Sequence, residues 1–182
     1  MKALKLGLSF LAVLLVGTFV GCSNTSTKSP DVSDSIRKSL EQAGLKDVDI
    51  SQDRDKGVVT LGGHVATDAE KAQAGSIATP LAAGQVVSNQ IAVIPPGDVH
   101  DAKVANSDLD KGIAQNLDAA LIQDRLRKGV EYSVKNHVVT LTGSVNSQAA
   151  RDQAQQVAAS VPNVQQVVNE LQVKDQKATS SN

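Results

Sequence analysis

VVTLGGHV at residues 58–65 returns as VVTLTGSV at residues 138–145, and the match runs on without a gap to Val93 and Val173. Ala69 falls on Ala149, Ala74 on Ala154, Ala78 on Ala158 and Asn89 on Asn169. One folding unit is therefore present twice. Two copies are too few for a solenoid, so each has to bury a core of its own. The reading is a tandem of small domains.

The rest of the unit follows from local signals on either side of that strand. Val59, Leu61, Gly63 and Val65 alternate onto one face, as do Val139, Leu141, Gly143 and Val145. Val48 and Ile50, or Val130, Tyr132 and Val134, supply a partner strand, reached through polar turns at residues 53–57 and at Lys135-Asn136. Further upstream, Ile36, Leu40 and Ala43, and then Ile113, Leu117 and Ala120-Leu121, recur at helical spacing. Ser33 or Asp34, and Ser107 or Asp108, stand where N-caps are wanted.

Downstream, Thr67 and Glu70 have capping-box spacing, while Ser147 caps alone because Ala150 replaces the acid. The buried stripe of that second helix is Ala74, Ile77, Ala78 and Leu81, matched by Ala154, Val157, Ala158 and Val161. Small Ala side chains, with Gly63 and Gly143 opposite, are expected to let helix and sheet approach closely. Pro80 and Pro162 fall near or after the helix end. A last strand sets Val87, Asn89, Ile91 and Val93 on one face, and Val167, Asn169, Leu171 and Val173 in the second copy. The fold class is thus α+β: two tandem two-layer αββαβ domains, the last strand parallel to the second through a right-handed crossover.

Residues 1–21 read as an export signal: Lys2 and Lys5, an apolar run from Leu6 to Val20, then small Gly21 before the only cysteine, Cys22. This ending resembles a bacterial lipoprotein signal, which implies lipidation of Cys22. Residues 22–30 then form a flexible, lipidated tether of polar composition, reaching about 30 Å at full stretch. Residues 31–95 are the first domain, 96–106 a polar linker, 107–174 the second domain and 175–182 a disordered tail.

Loss of the signal takes Phe10, Phe19 and Met1 with it and leaves Tyr132 as the only aromatic residue. The cores are then aliphatic and each unit of about 65 residues lies near the lower limit for independent folding. Removing Lys2 and Lys5 from 18 basic residues leaves 16 against 19 acidic ones, a side-chain charge of −3, which offers no electrostatic footprint for nucleic acid. His64, His100 and His137 do not recur between copies and have no ligand-spaced partners, so they read as surface residues, and no metal or cofactor is expected. Asp47, Asp49, Asp53 and Asp55 read as a solvated hairpin rather than a calcium loop. Asn89 and Asn169 place an amide on an apolar face, read as a buried group that satisfies backbone, with a ligand contact as the alternative. Arg125, Arg127 and Lys128 form the one dense basic run, a candidate contact for lipid headgroups or a complement to a helix C-terminus.

The Val-Val-Thr-Leu-x-Gly-x-Val strands, the Ala-rich helix and the segment from Val164 to Leu171 resemble the tandem BON-domain family, named for bacterial osmotic-stress and nodulation proteins. Many members carry glycine before the last strand; Ala83 and Asn163 stand there in this chain. The resemblance implies αββαβ domains in the cell envelope and no catalysed reaction. It further implies a periplasmic protein, anchored by lipid to the outer membrane, that maintains envelope integrity or stress tolerance through anionic phospholipids or envelope proteins. A holdase-type chaperone for unfolded clients is the alternative.

Overall fold

The computed structural model describes residues 28–97 and 99–174; the signal, Cys22 and the tail from 175 lie outside the described residues. The fold is α+β and the two copies repeat one architecture. The first runs α1 (Ser33–Gln42), β1 (Val48–Asp53), β2 (Val58–Val65), α2 (Asp68–Leu81), β3 (Val86–Asn89) and β4 (Ala92–Val93). The second runs α3 (Val99–Gln123), β5 (Val130–Lys135), β6 (Val138–Val145), α4 (Gln148–Ser160), β7 (Gln166–Asn169) and β8 (Gln172–Val173). In each, the hairpin is antiparallel and the strands after the crossover helix lie parallel to the central strand. Val59, Leu61, Val65, Ala74 and Ala78 are buried between sheet and helices, as are Val139, Leu141, Val145, Ala154 and Ala158.

The single last strand expected from alternation is two short ones in the same register. Thr60 pairs with Ser88 and His64 with Ala92, and the bridging pattern lapses between them. The cause lies on β2, where Gly63 has φ +77; Gly143 has φ +106 on β6. These glycines do not make room for the helix, as their position on the strand led us to expect. A Cβ on Gly63 would overlap the carbonyl oxygen of Asp47, and one on Gly143 that of Gly129. Each carbonyl accepts the amide that directly follows the glycine on the central strand: His64 N–H bonds Asp47 O at 3.1 Å and Ser144 N–H bonds Gly129 O at 2.8 Å. The twin glycines let the first strand of each hairpin close onto the second.

Three local expectations are corrected. The expected polar linker, residues 96–106, is helical from Val99: α3 begins there and runs through Ser107 and Asp108 to Gln123, so neither caps it. The segment carries no breaker between Val99 and Gly112, and Asp101 in the first turn favours the helix dipole. α1 is not capped by Ser33 or Asp34. Its opening amides use other acceptors: Val32 N–H and Ser33 Oγ–H both donate to Gln52 Oε1, and Ser33 N–H to Asp31 Oδ1. Ala43 is the exposed C-cap, and Leu45 reaches the core instead by a closing bond from its N–H to Leu40 O. Leu126 repeats that bond to Leu121 O, so Leu40 corresponds to Leu121.

Residues 28–30, the end of the expected tether, are tied down. Ser29 N–H donates to Arg54 O, Arg54 Nε to Ser29 O and Gln52 Nε2 to Pro30 O. Thr67 with Glu70, and Ser147 alone, cap α2 and α4 as the sequence indicated. Ala83 (φ +52) and Asn163 (φ +67) adopt the left-handed conformation.

Gly44 also has positive φ but open space around it, so Gly44→Ala should cost only the left-handed penalty of about 1–2 kcal/mol. Gly63→Ala and Gly143→Ala must also displace a backbone carbonyl and should each exceed that loss in chemical denaturation. Equal losses at all three positions would remove the closure argument.

Candidate functional site

The edges of the two sheets meet. Strand order places β3 and β7 at the edges of their sheets, and these edges face each other. Val86 and Gln90 donate toward β2, so the alternating Val87 and Asn89 present their backbone groups outward. The carboxamide of Gln166, on β7, fills that gap: Asn89 N–H donates to Gln166 Oε1 at 2.9 Å and Gln166 Nε2 donates to Val87 O at 2.6 Å. One side chain thus substitutes for a neighbouring strand. Behind it, Val58, Val138 and Val168 form a small apolar cluster on the helix-free faces, beside buried Ser88. Lys56 Nζ reaches Glu170 Oε2 at 2.8 Å, and this bond to the carboxylate is the main cause of its raised pKa.

A polar hub continues the seam. Lys71, on α2, is buried to 8% exposure and donates from Nζ to Gln165 Oε1 at 2.9 Å and Asn136 O at 3.2 Å. Asn136 Nδ2 in turn donates to Gln90 O at 2.7 Å. Asn136 and His137 occupy the tight β5–β6 turn at φ +48 and +67, a left-handed region that asparagine and histidine enter more readily than most side chains. The Asp110 carboxylate, from α3, accepts both of their N–H groups at 2.8 Å. His137 is accordingly not the surface residue expected from its turn position. It is half-buried against a cleft lined by Asp68, Lys71 and Gln165, and its Nε2 is buried without a partner. His64 and His100 are exposed.

The duplicated asparagines tie β3 and β7 to the helices. Asn89 Nδ2 donates to Lys71 O at 2.8 Å, and Asn169 Nδ2 to Arg151 O at 3.2 Å. The acidic hairpin is a turn support: Asp53 Oδ1 accepts the N–H groups of Asp55 and Lys56. Among the described residues, no group of three or more His, Cys, Asp or Glu is arranged to hold a metal ion.

Of the basic run, Arg127 is committed within the domain. Its Nε donates to Asp118 Oδ1 at 2.6 Å, its Nη1 to Val130 O at 2.9 Å, and the guanidinium lies 5.4 Å from the Tyr132 ring centroid. Burial and Asp118 push the Tyr132 phenol up, against the opposing Arg127 charge. Arg125 and Lys128 are exposed, and among the described residues neither meets a carboxylate.

The BON-domain family model matches residues 29–95 and again 109–175, covering both sheet-and-helix units. The chain belongs to the BON-domain family. It is 26% identical over 202 aligned positions to osmotically-inducible protein Y of Escherichia coli K12, across 96% of this chain and 99% of that protein. Among solved structures, CdsD, a structural protein of the type III secretion system of Chlamydia trachomatis, is 14% identical with a TM-score of 0.35. That alignment covers 78% of this chain and 91% of CdsD.

Sequence reasoning missed the seam residues Lys71, Asp110, Asn136, Gln165 and Gln166. The available signal was disagreement between the copies: Gln166 aligns with Val86, which is exposed, and Lys71 with Arg151. Gln166→Ala should cost about 1–3 kcal/mol by leaving Asn89 N–H and Val87 C=O without acceptor or donor. It should also separate the unfolding of the two BON domains in calorimetry; one unchanged transition would mean that the carboxamide does not couple them.

Burial lowers the Lys71 pKa from 10.5, and Asp68 and Asp110 only partly oppose it. The folded state therefore binds fewer protons than the unfolded chain between the depressed pKa and 10.5. The contribution of Lys71 should grow more favourable as pH rises through that window. Stability measured against Lys71→Met as a function of pH checks this; a difference that falls toward pH 10.5 would reverse the sign.

Proposed function

We infer that this protein is a non-enzymatic lipoprotein of the cell envelope that supports the periplasm and outer membrane under osmotic stress. It does so through contacts with phospholipid surfaces or envelope proteins. The observation that carries this reading is the likeness, over 96% of the chain and both domains, to a protein named for osmotic induction. The sequence from Lys2 to Cys22 supplies the anchor: acylated Cys22 holds the paired domains at the periplasmic side of the outer membrane. Two or more acyl chains, at about 0.8 kcal/mol per buried CH₂, outweigh a surface cation, worth about 1 kcal/mol near an anionic leaflet. Arg125 and Lys128 then add orientation rather than attachment.

None of the described helices is long and apolar enough to cross a membrane. The body stays outside the bilayer and works from its surface. Its compact seam and aliphatic cores suit a rigid binding module that presents one end to the membrane.

The test compares wild type, Cys22→Ser and a deletion strain after a hyperosmotic shift. Cys22→Ser should lose the mass of the acyl group, leave the outer-membrane fraction and lower survival toward that of the deletion. Unchanged mass and fractionation would remove the anchor, and full survival of the deletion strain would remove the stress role.

A further inference from the structure

The seam between the copies has an approximate two-fold axis, broken at one place. The copies are offset by 80 residues, from Val58 to Val138. Asn136 Nδ2 crosses the seam to Gln90 O at 2.7 Å. The residues at the matching positions, Lys56 and Glu170, cross it in the opposite sense, Nζ to Oε2 at 2.8 Å. Val58 and Val138 share one apolar cluster. Two clefts at the seam match in the same way. One, of about 380 Å³, is lined by Lys71, Asn89, Val138 and Gln166, and the other, of about 300 Å³, by Arg151, Asn169, Val58 and Val86.

Base matches base, asparagine matches asparagine and valine matches valine; the last pair differs. Gln166 holds out its carboxamide to β3, accepting from Asn89 N–H and donating to Val87 O. Its counterpart Val86 is 47% exposed and has neither donor nor acceptor on its side chain. The groups it faces are the edge of β7. Glu170 N–H donates to Leu141 O as Gln90 N–H does to Leu61 O, so Asn169 turns its backbone away from β6, and Val167 with it. Arg151 covers the carbonyls of Asn169 and Leu171, but a guanidinium only donates and cannot serve an N–H. Among the described residues, no side chain accepts from Asn169 N–H or donates to Val167 O.

We propose that the cleft between Val86 and Asn169 receives a glutamine side chain of another polypeptide, whose carboxamide bonds Asn169 N–H and Val167 O as Gln166 bonds Asn89 and Val87. The filled half of the seam identifies the occupant: the same two backbone groups, on the matching strand, already hold this group. One donor and one acceptor on a strand edge call for a ligand that offers one of each. A carboxamide does so, whereas a carboxylate lacks the donor, an ammonium the acceptor and a thioether the donor. Exposed Val86 meets the aliphatic stem of the incoming side chain. Lys56 and Glu170 line the same cleft with their charges already paired to each other, which suits a neutral group. The site rests on the symmetry of the seam, not on the envelope reading; under that reading it supplies the chemistry of one protein contact.

The test uses the full chain in nonionic micelles, with the Asn169 amide resonance as reporter. The probe is acetyl-Val-Gln-Val-methylamide. The same peptide with Glu or Met in place of Gln keeps the reach of the side chain and removes the carboxamide. Wild type should show a saturable shift at Asn169 with the Gln peptide and bind the other two at least about tenfold more weakly, the size of two lost hydrogen bonds near a surface. Val86→Gln, copying Gln166, should fold, move the Asn169 resonance without any peptide and weaken probe binding at least about tenfold. Val86→Thr, close in shape but without the carboxamide, should keep binding.

No saturable shift at Asn169, equal binding of the Glu or Met peptide, or full binding by Val86→Gln would overturn the site. So would a loss in Val86→Thr as large as in Val86→Gln, because shape and not the carboxamide would then decide binding. These outcomes are read independently of osmotic survival and membrane fractionation, which judge the broader function.

Discussion

The carboxamide of Gln166 is the contact on which the shared body depends. Each domain is a small aliphatic unit, and a bare sheet edge in such a unit exposes unpaired backbone groups. β3 is such an edge, and Gln166 satisfies one donor and one acceptor on it without extending the sheet. A continuous ladder would have demanded that β3 and β7 run in register with compatible twist. A single side chain imposes no such demand, and it leaves the valine cluster and the Lys71 hub to settle the remaining geometry.

The other edge is closed differently. On β7 and just beyond it, Arg151 donates from Nη2 to Asn169 O and from Nε to Leu171 O, covering carbonyls of its own domain. Lys71 occupies the equivalent position in the first copy but carries one ammonium in place of a planar fork. It cannot make that paired contact, and it reaches across the seam to Gln165 and Asn136. The substitution of one base for another thus changes which domain the side chain serves. Burial of that ammonium is tolerated because its acceptors are fixed by their own partners, Asn136 by Asp110 and by its bond to Gln90.

The repeat made the fold legible. Two gap-free copies of an alternating strand, each followed by a capped Ala-rich helix, leave little freedom in element order, and α+β tandem domains follow. Periodicity could not see the left-handed glycines, because alternation assigns Gly63 to a face without regard to its φ. Nor could polar composition predict that residues 99–106 continue α3, since helix propensity and loop polarity share the same residues there. The seam was illegible for a further reason. Gln165 and Gln166 look like ordinary polar strand residues until a second domain lies against them. Among the basic residues, sequence adjacency grouped Arg127 with Arg125 and Lys128, whereas Asp118 draws it away and Lys174 takes its place.

Duplication supplies two equal modules, but this chain has made them unequal at matching positions. At three such positions the first uses a charged group within the protein: Glu70 on its own helix start, Lys56 and Lys71 on the neighbouring domain. The second closes its own edge with Arg151 and leaves its helix start uncovered beside Arg125, Lys128 and Lys174. A charge satisfied within the protein stabilises the body and is lost to ligands; one left unsatisfied costs little at the surface and remains available. By that criterion the first domain, nearest the N-terminus, is the brace.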